Sequence, residues 1–163
     1  MAFHFFKKHK QLQIYAPVDG ELIPLEQVPD PVFSQKMMGE GVAIVPKKSN
    51  ITAPVEGKII QVASTKHAIG ILAEDGSEIL IHIGLDTVNL KGEGFKVVVK
   101  EGDQISSGQL LMEVDWDYIK ANAKSTITPI VITNSMEGNK EYQVTEEKEC
   151  FSGQTVILTA SGK

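Results

Sequence analysis

Cysteine is almost missing from this chain. Cys150 is the only one in 163 residues, so no internal disulfide can form and a reducing, cytoplasmic setting is expected. As a lone thiol it reads as a small apolar filler. Long hydrophobic runs are missing too, and no stretch approaches the length of a membrane span, so no stable membrane insertion is expected. The N-terminus, MAFHFFKKHK, is apolar and then basic, the reverse of a signal peptide, and it lacks the apolar central region of one. Residues 1–11 read as a flexible tail and 12–163 as one domain, long enough to bury a sizeable core. Excess positive charge is also lacking. A net charge of −5 and a pI of about 5.4 argue against nucleic acid and favour basic partners.

Helical periodicity is scarce. DWDYIKANAKS predicts one short helix near 116–124, capped by an Asp, and Asp30-Pro31 can open another turn with Pro at the first helical position. What fills the chain is short β-like runs: ELIPL, GVAIV, GKIIQVA, SEILIHI, FKVVV, QLLMEV, PIVIT and QTVILT. Gly, Pro, Asp and Asn punctuate them. There are internal echoes as well. YAPVDGELI (15–23) recurs as TAPVEGKII (52–60), and GDQISSGQL (102–110) is echoed by CFSGQTV (150–156). The expected fold is all-β, an antiparallel sandwich or barrel with pseudo-symmetric halves and one or two short helices.

One strand carries a residue that a core would not choose. In SEILIHIGLDT (77–87), Ile79, Ile81 and Ile83 point one way while Leu80, His82 and Gly84 point the other. A buried imidazole must find hydrogen-bond partners, so an aliphatic residue would serve a core better. Upstream, Asp75-Gly76 lies between two apolar runs, a strong hairpin signal. If these two are the central turn residues, Glu74 pairs with Ser77, Ile69 lies opposite His82, and His67 lies opposite Gly84. Thr65, His67, Ile69, His82 and Gly84 then share a face, with the histidines diagonal neighbours at about 7–8 Å between backbones. A register slip of one residue would part them.

Two imidazoles on one face are too few for a resident zinc site, which wants a third or fourth ligand. Asp86 is the nearest candidate, but strand parity is unreliable after Gly84. No G-x-S-x-G or Cys-His signature supports triad catalysis. A histidine can itself be the nucleophile, one ring nitrogen attacking while the other is held by an acceptor, with a second imidazole donating to the charge that develops.

TKHAIGI (65–71) followed by ILIHIGLDTVNLKGEGF (79–95) resembles the glucose-type enzyme IIA domain of the bacterial sugar phosphotransferase system. The likeness runs on through PDPVFSQKMMGEGVAIVP (29–46), APVEGKI (53–59), EGDQISSGQLLMEVD (101–115) and KSTITPIVITN (124–134), and spans roughly residues 12 to 161. The resemblance implies the duplicated hybrid motif fold and a phosphotransferase that carries phosphoryl groups during sugar uptake. It implies that a histidine-containing phosphocarrier protein phosphorylates His82 at Nε2, the tele position, and that His82 passes the group to a IIB domain of a sugar permease. By the same likeness, Gly84 orients Nδ1 of His82, His67 donates a hydrogen bond to the phosphoryl group, and Thr65 supports His67. Val32, Phe33, Met38, Ile69, Ile83 and Val88 fall on the apolar docking rim. Asp30 and Asp86 match the carboxylates that meet a basic partner.

The resemblance also implies a monomer with no resident cofactor. It allows a zinc ion held at an interface by His67 and His82, and regulatory binding to permeases or kinases. Beginning with Met and ending soon after its last strand-like run, the chain reads as a free-standing IIA protein. Met38 stands where a smaller aliphatic residue is expected, and residues 1–11 have no counterpart. Two rivals remain. A lipoyl or biotinyl carrier domain shares the flavour of APVDG, but would need a Lys at the tip of a hairpin. A LytM-type zinc peptidase shares the GDxVxxGQ-like element. Its chemistry needs a His-x-His pair, and the His82-to-Asp86 spacing supplies only the other half of that ligand set.

Overall fold

The computed structural model describes residues 11–162. In chain order its strands and helices are β1 (Leu12–Tyr15), β2 (Gly20–Pro24), α1 (Pro31–Ser34), β3 (Glu40–Pro46), β4 (Ile51–Thr52), β5 (Gly57–Val62), β6 (Ala68–Ala73) and β7 (Glu78–His82). They continue with β8 (Phe95–Val97), β9 (Gln104–Ile105), β10 (Leu110–Val114), α2 (Trp116–Asn122), β11 (Thr128–Ile132), β12 (Lys140–Val144), β13 (Glu149–Cys150) and β14 (Val156–Gly162). The tail read over residues 1–11 lies outside the described residues except for Gln11. No helix among the described residues is long and apolar enough to cross a membrane.

The strands form an eight-stranded antiparallel sheet, β13-β2-β3-β11-β7-β6-β5-β9, and two three-stranded sheets, β1-β14-β12 and β4-β10-β8. This is the all-β, antiparallel, duplicated architecture expected, and the echoes are its two halves. Gly20 and Gly57 open β2 and β5 at matching places, where a Cβ would collide with the neighbouring strand's Val45 and Leu72 carbonyls at 2.2 and 2.4 Å. The halves also bond to each other reciprocally. Tyr15 N–H donates to Pro54 O at 2.9 Å, and Thr52 N–H donates to Pro17 O at 2.8 Å. The second echo behaves alike, with Gly108 N–H on Ala53 O and Gly153 N–H on Ala16 O. Repeated sequence makes repeated hydrogen bonds, so a rough two-fold axis runs between β7 and β11.

One face of the large sheet builds the main core. Val42, Ile44, Ile69, Ile71, Ile79, Ile81, Ile130 and Ile132 all join one cluster, the alternation expected of a half-buried strand. On the opposite face Ala43, Ala68, Leu80 and Val131 pack under the segment bearing Leu25, Val28 and Phe33. Burying an aliphatic side chain of this kind is worth about 1.5–3 kcal/mol. Cys150 is buried in the main core, and loss of hydration pushes its thiol up to about 11. α2 starts where expected, with Asp115 accepting from Tyr118 N–H. It stops at Asn122, two residues short of the predicted end, because Ala123 turns to an extended conformation. Asp30 caps α1 by accepting from Val32 N–H, with Pro31 in the first turn.

The β6–β7 hairpin departs from its predicted register by one residue. His82 pairs with Ala68, Ile81 with Ile69, and Leu80 with Gly70. The reason is the turn. Ala73 N–H donates to Ser77 O, Gly76 N–H donates to Ala73 O, and Gly76 holds φ +89°. Glu74, Asp75 and Gly76 therefore form a three-residue loop ending in a left-handed glycine, the other common hairpin connection. Asp75 locks it by accepting from both Ser77 N–H and its hydroxyl.

Candidate functional site

With the hairpin slipped, simple alternation would send His67 to the face opposite His82. It does not, because His67 lies outside β6. Lys66 takes a left-handed φ of +63°, and its N–H donates to Ala63 O, so the chain turns sharply just before His67. His67 O then accepts from Ile83 N–H at 2.7 Å. The two imidazole rings meet edge to face, their centroids 4.9 Å apart at 76°. The pairing comes from a backbone turn rather than from strand parity.

Beyond β7 the chain turns away at Gly84, φ +77°, and Leu85 N–H donates to Ser125 O. A Cβ on Gly84 would stand 2.6 Å from Thr87 Cγ2 and 3.0 Å from Ser125 O, so only glycine fits. This turn brings the Gly84 carbonyl 2.8 Å from Nδ1 of His82. A carbonyl can only accept, so Nδ1 carries the proton and Nε2 presents its lone pair. On the other ring, Nδ1 of His67 lies 2.8 Å from the Thr65 hydroxyl.

Burial holds both imidazoles below their ordinary protonation range. For His67 the charge of a protonated His82 adds to that effect, and the Thr65 backbone opposes it. For His82 the Gly84 carbonyl is the main opposing influence, followed by the Asp30 carboxylate. The pair is therefore neutral near pH 7, which suits a nucleophile.

Around the rings lies a hollow bordered by Asp30, Val32, Met38, Asp86, Val88 and Lys124. Phe33 forms its floor, its ring centroid 5.0 Å from that of His82. Val32 and Val88 are exposed at 39% and 48%, whereas Phe33 is buried. Two residues expected on this rim are not there. Ile69 and Ile83 are fully buried in the main core, because both point to the inner face of the sheet while His82 points to the outer one. Neither can touch a partner. Lys124, which borders the hollow, was missed by reading the sequence: a single lysine between α2 and β11 carries no local signal. Among the described residues no group of three or more His, Cys, Asp or Glu can hold a metal, so the two histidines alone fall short of zinc's usual four ligands.

Comparison with known proteins decides what this constellation belongs to. The family model described as "phosphoenolpyruvate-dependent sugar phosphotransferase system, EIIA 1" matches residues 12–138. The chain belongs to that family. A glucose-specific EIIA component of Staphylococcus epidermidis is 48% identical over 149 residues, covering 91% of this chain and 89% of its own. A glucose-specific EIICBA component of Staphylococcus carnosus is 51% identical over 145 residues, covering 89% of this chain and 21% of its own. The solved glucose permease IIA from Mycoplasma capricolum superposes with a TM-score of 0.86 at 39% identity, covering 92% of this chain and 96% of its own. As an EIIA component, the protein is a phosphotransferase that carries phosphoryl groups in the sugar phosphotransferase system. The lipoyl-carrier and zinc-peptidase readings fall away.

Proposed function

We propose that Nε2 of His82 is the phosphoryl acceptor, and that this protein relays the group from a histidine-containing phosphocarrier protein to a cysteine on the IIB domain of a sugar permease. One observation carries the assignment: Nδ1–H of His82 is committed to the Gly84 carbonyl, which leaves the Nε2 lone pair facing the hollow. In the transfer, that lone pair forms the new N–P bond as the N–P bond of the donor histidine breaks. The donor imidazole departs with the electron pair. His82 keeps its Nδ1 proton, so its ring gains positive charge, which the Gly84 carbonyl faces and stabilises.

His67 is the supporting donor. With the Thr65 hydroxyl donating to its Nδ1, the proton of neutral His67 sits on Nε2 and can reach a phosphoryl oxygen. Val32, Met38 and Val88 supply the apolar rim for docking, and Asp30 and Asp86 offer charge to a basic partner. The fusion of a matching segment within a longer EIICBA relative supports a permease as the onward partner. The same face suits regulatory contacts with permeases or kinases. The protein acts as a cytoplasmic monomer with no resident cofactor, and an interfacial zinc would need the partner to supply the remaining ligands.

The test is intact-mass measurement after incubation with phosphoenolpyruvate, enzyme I and the phosphocarrier protein. Wild type should gain one phosphoryl group that is labile in acid and stable in base, and His82→Ala should gain none. A full mass gain in His82→Ala would overturn the assignment. His67→Gln should still accept the group but discharge it more slowly to a IIB domain.

A further inference from the structure

The hollow over the imidazole pair is electrostatically unbalanced for the cargo it is to hold. Two carboxylates, Asp30 and Asp86, border it, and the one positive charge that phosphorylation brings is that of the His82 ring, which the Gly84 carbonyl faces. A phosphoryl dianion on Nε2 of His82 would enter a site already negative, and like charges this close oppose one another. Lys124 is the one lysine among the residues lining the hollow. Lys66, next to His67, lays its stem against Gly92 instead. The Lys124 ammonium donates to the Pro29 carbonyl at 3.1 Å, and no carboxylate among the described residues forms a salt bridge with it. A neutral carbonyl is a weak partner for a full cation, and a lysine's four-carbon stem lets the head move without backbone rearrangement.

We propose that Lys124 is the counter-ion of phosphorylated His82, its ammonium exchanging the Pro29 carbonyl for an oxygen of the phosphoryl group. This rests on His82 being the acceptor. In the unphosphorylated protein the same ammonium ties the loop before α1, and with it Asp30 and Phe33, to the chain entering β11. Lys124 is thus a site residue whose role appears only when the cargo arrives.

The experiment is phosphorus NMR titration of the phosphorylated protein, comparing wild type with Lys124→Met and Lys124→Arg at low and high salt. The charged and titratable groups around the phosphoryl are the His82 ring that carries it, His67, Asp30, Asp86 and Lys124, and only the last is changed. A nearby cation favours the dianion, so the last phosphoryl pKa should be lower in wild type and Lys124→Arg than in Lys124→Met. The extent of phosphorylation at equilibrium with the phosphocarrier protein should fall about fivefold in Lys124→Met, the scale of an exposed ion pair. Both differences should shrink as salt rises. Identical titrations in all three proteins would overturn the proposal and leave Lys124 a strut for the Pro29 loop. Failure of the acceptor reading has its own signature, a phosphoryl mass gain that persists in His82→Ala.

Discussion

The two halves of the large sheet share a plan but not a function, and the contrast locates the chemistry. Equivalent pairings place Ala68 beside His82 in one half and Gly41 beside Val131 in the other. The same register position thus carries an imidazole in one half and a valine in its counterpart. Val131 is sealed beneath Leu25, Val28 and Phe33. His82 lies only at the edge of that cover, beside Phe33, and stays partly open. The chain also leaves the two positions differently. After Val131 the ladder to β7 continues, with Ile132 opposite Ile79 and Thr133 N–H on Glu78 O. After His82 it turns at Gly84, and that turn delivers the carbonyl that orients the ring. Duplication explains the fold; the site sits where the duplicated halves diverge.

Exchanging the two side chains is the harshest way to test that contrast. The double variant His82→Val with Val131→His should take up no phosphoryl group by intact mass, since an imidazole at position 131 has neither an opening nor a glycine carbonyl. Any uptake would mean that the two halves are chemically interchangeable. Val131→His alone should keep its transfer activity but lose about 2–4 kcal/mol of stability by denaturant titration, the cost of a buried polar ring without partners.

Two glycines sharpen the comparison further. Gly84→Ala meets both a positive φ and a collision with Thr87 and Ser125, so about 2–3 kcal/mol of stability should go, along with much of the transfer rate. Gly76→Ala also sits at positive φ but has open space around it, so only about 1 kcal/mol should go and transfer should be untouched. Equal transfer rates in the two variants would remove Gly84 from the site.

The smallest effect is a pH dependence. Both imidazoles have their pKa values lowered in the folded state, so between those values and about 6.5 the unfolded chain binds more protons. Stability from this source is complete above about pH 6.5 and is lost as pH falls through the lowered range. A variant carrying both His67→Gln and His82→Gln should show a flatter fall in denaturation midpoint between about pH 7 and pH 5 than wild type. A fall as steep as that of wild type would mean that the histidines are not held neutral by burial.

Much of this was legible one strand at a time. Alternation assigned His82 to the face opposite Ile79, Ile81 and Ile83, because a side chain's direction along a strand depends only on its own backbone. The echoes announced two similar halves because equal sequences make equal local hydrogen bonds. The same alternation argues against Ile83 as a surface contact, although family likeness had put it on the rim; Ile69 was expected beside His82 from the hairpin register as well, and the one-residue slip turned it inward. Residues in register with a motif need not share its face.

What the sequence by itself determined, then, is which residues form strands, how side chains alternate along each strand, and where an imidazole stands in place of an aliphatic side chain. Only the tertiary structure decided which residues meet. The hairpin register depended on whether Asp75-Gly76 made a two- or a three-residue loop, a matter of φ at Asp75, which a two-residue turn would need positive and which is not positive here. His67 reached His82 through the left-handed turn at Lys66, and Lys124 reached the Pro29 carbonyl across 95 residues of chain. Such meetings are set by how strands, turns and covering segments pack together, because the free energy that holds them comes from burial and hydrogen bonds between distant parts of the chain rather than from either part alone.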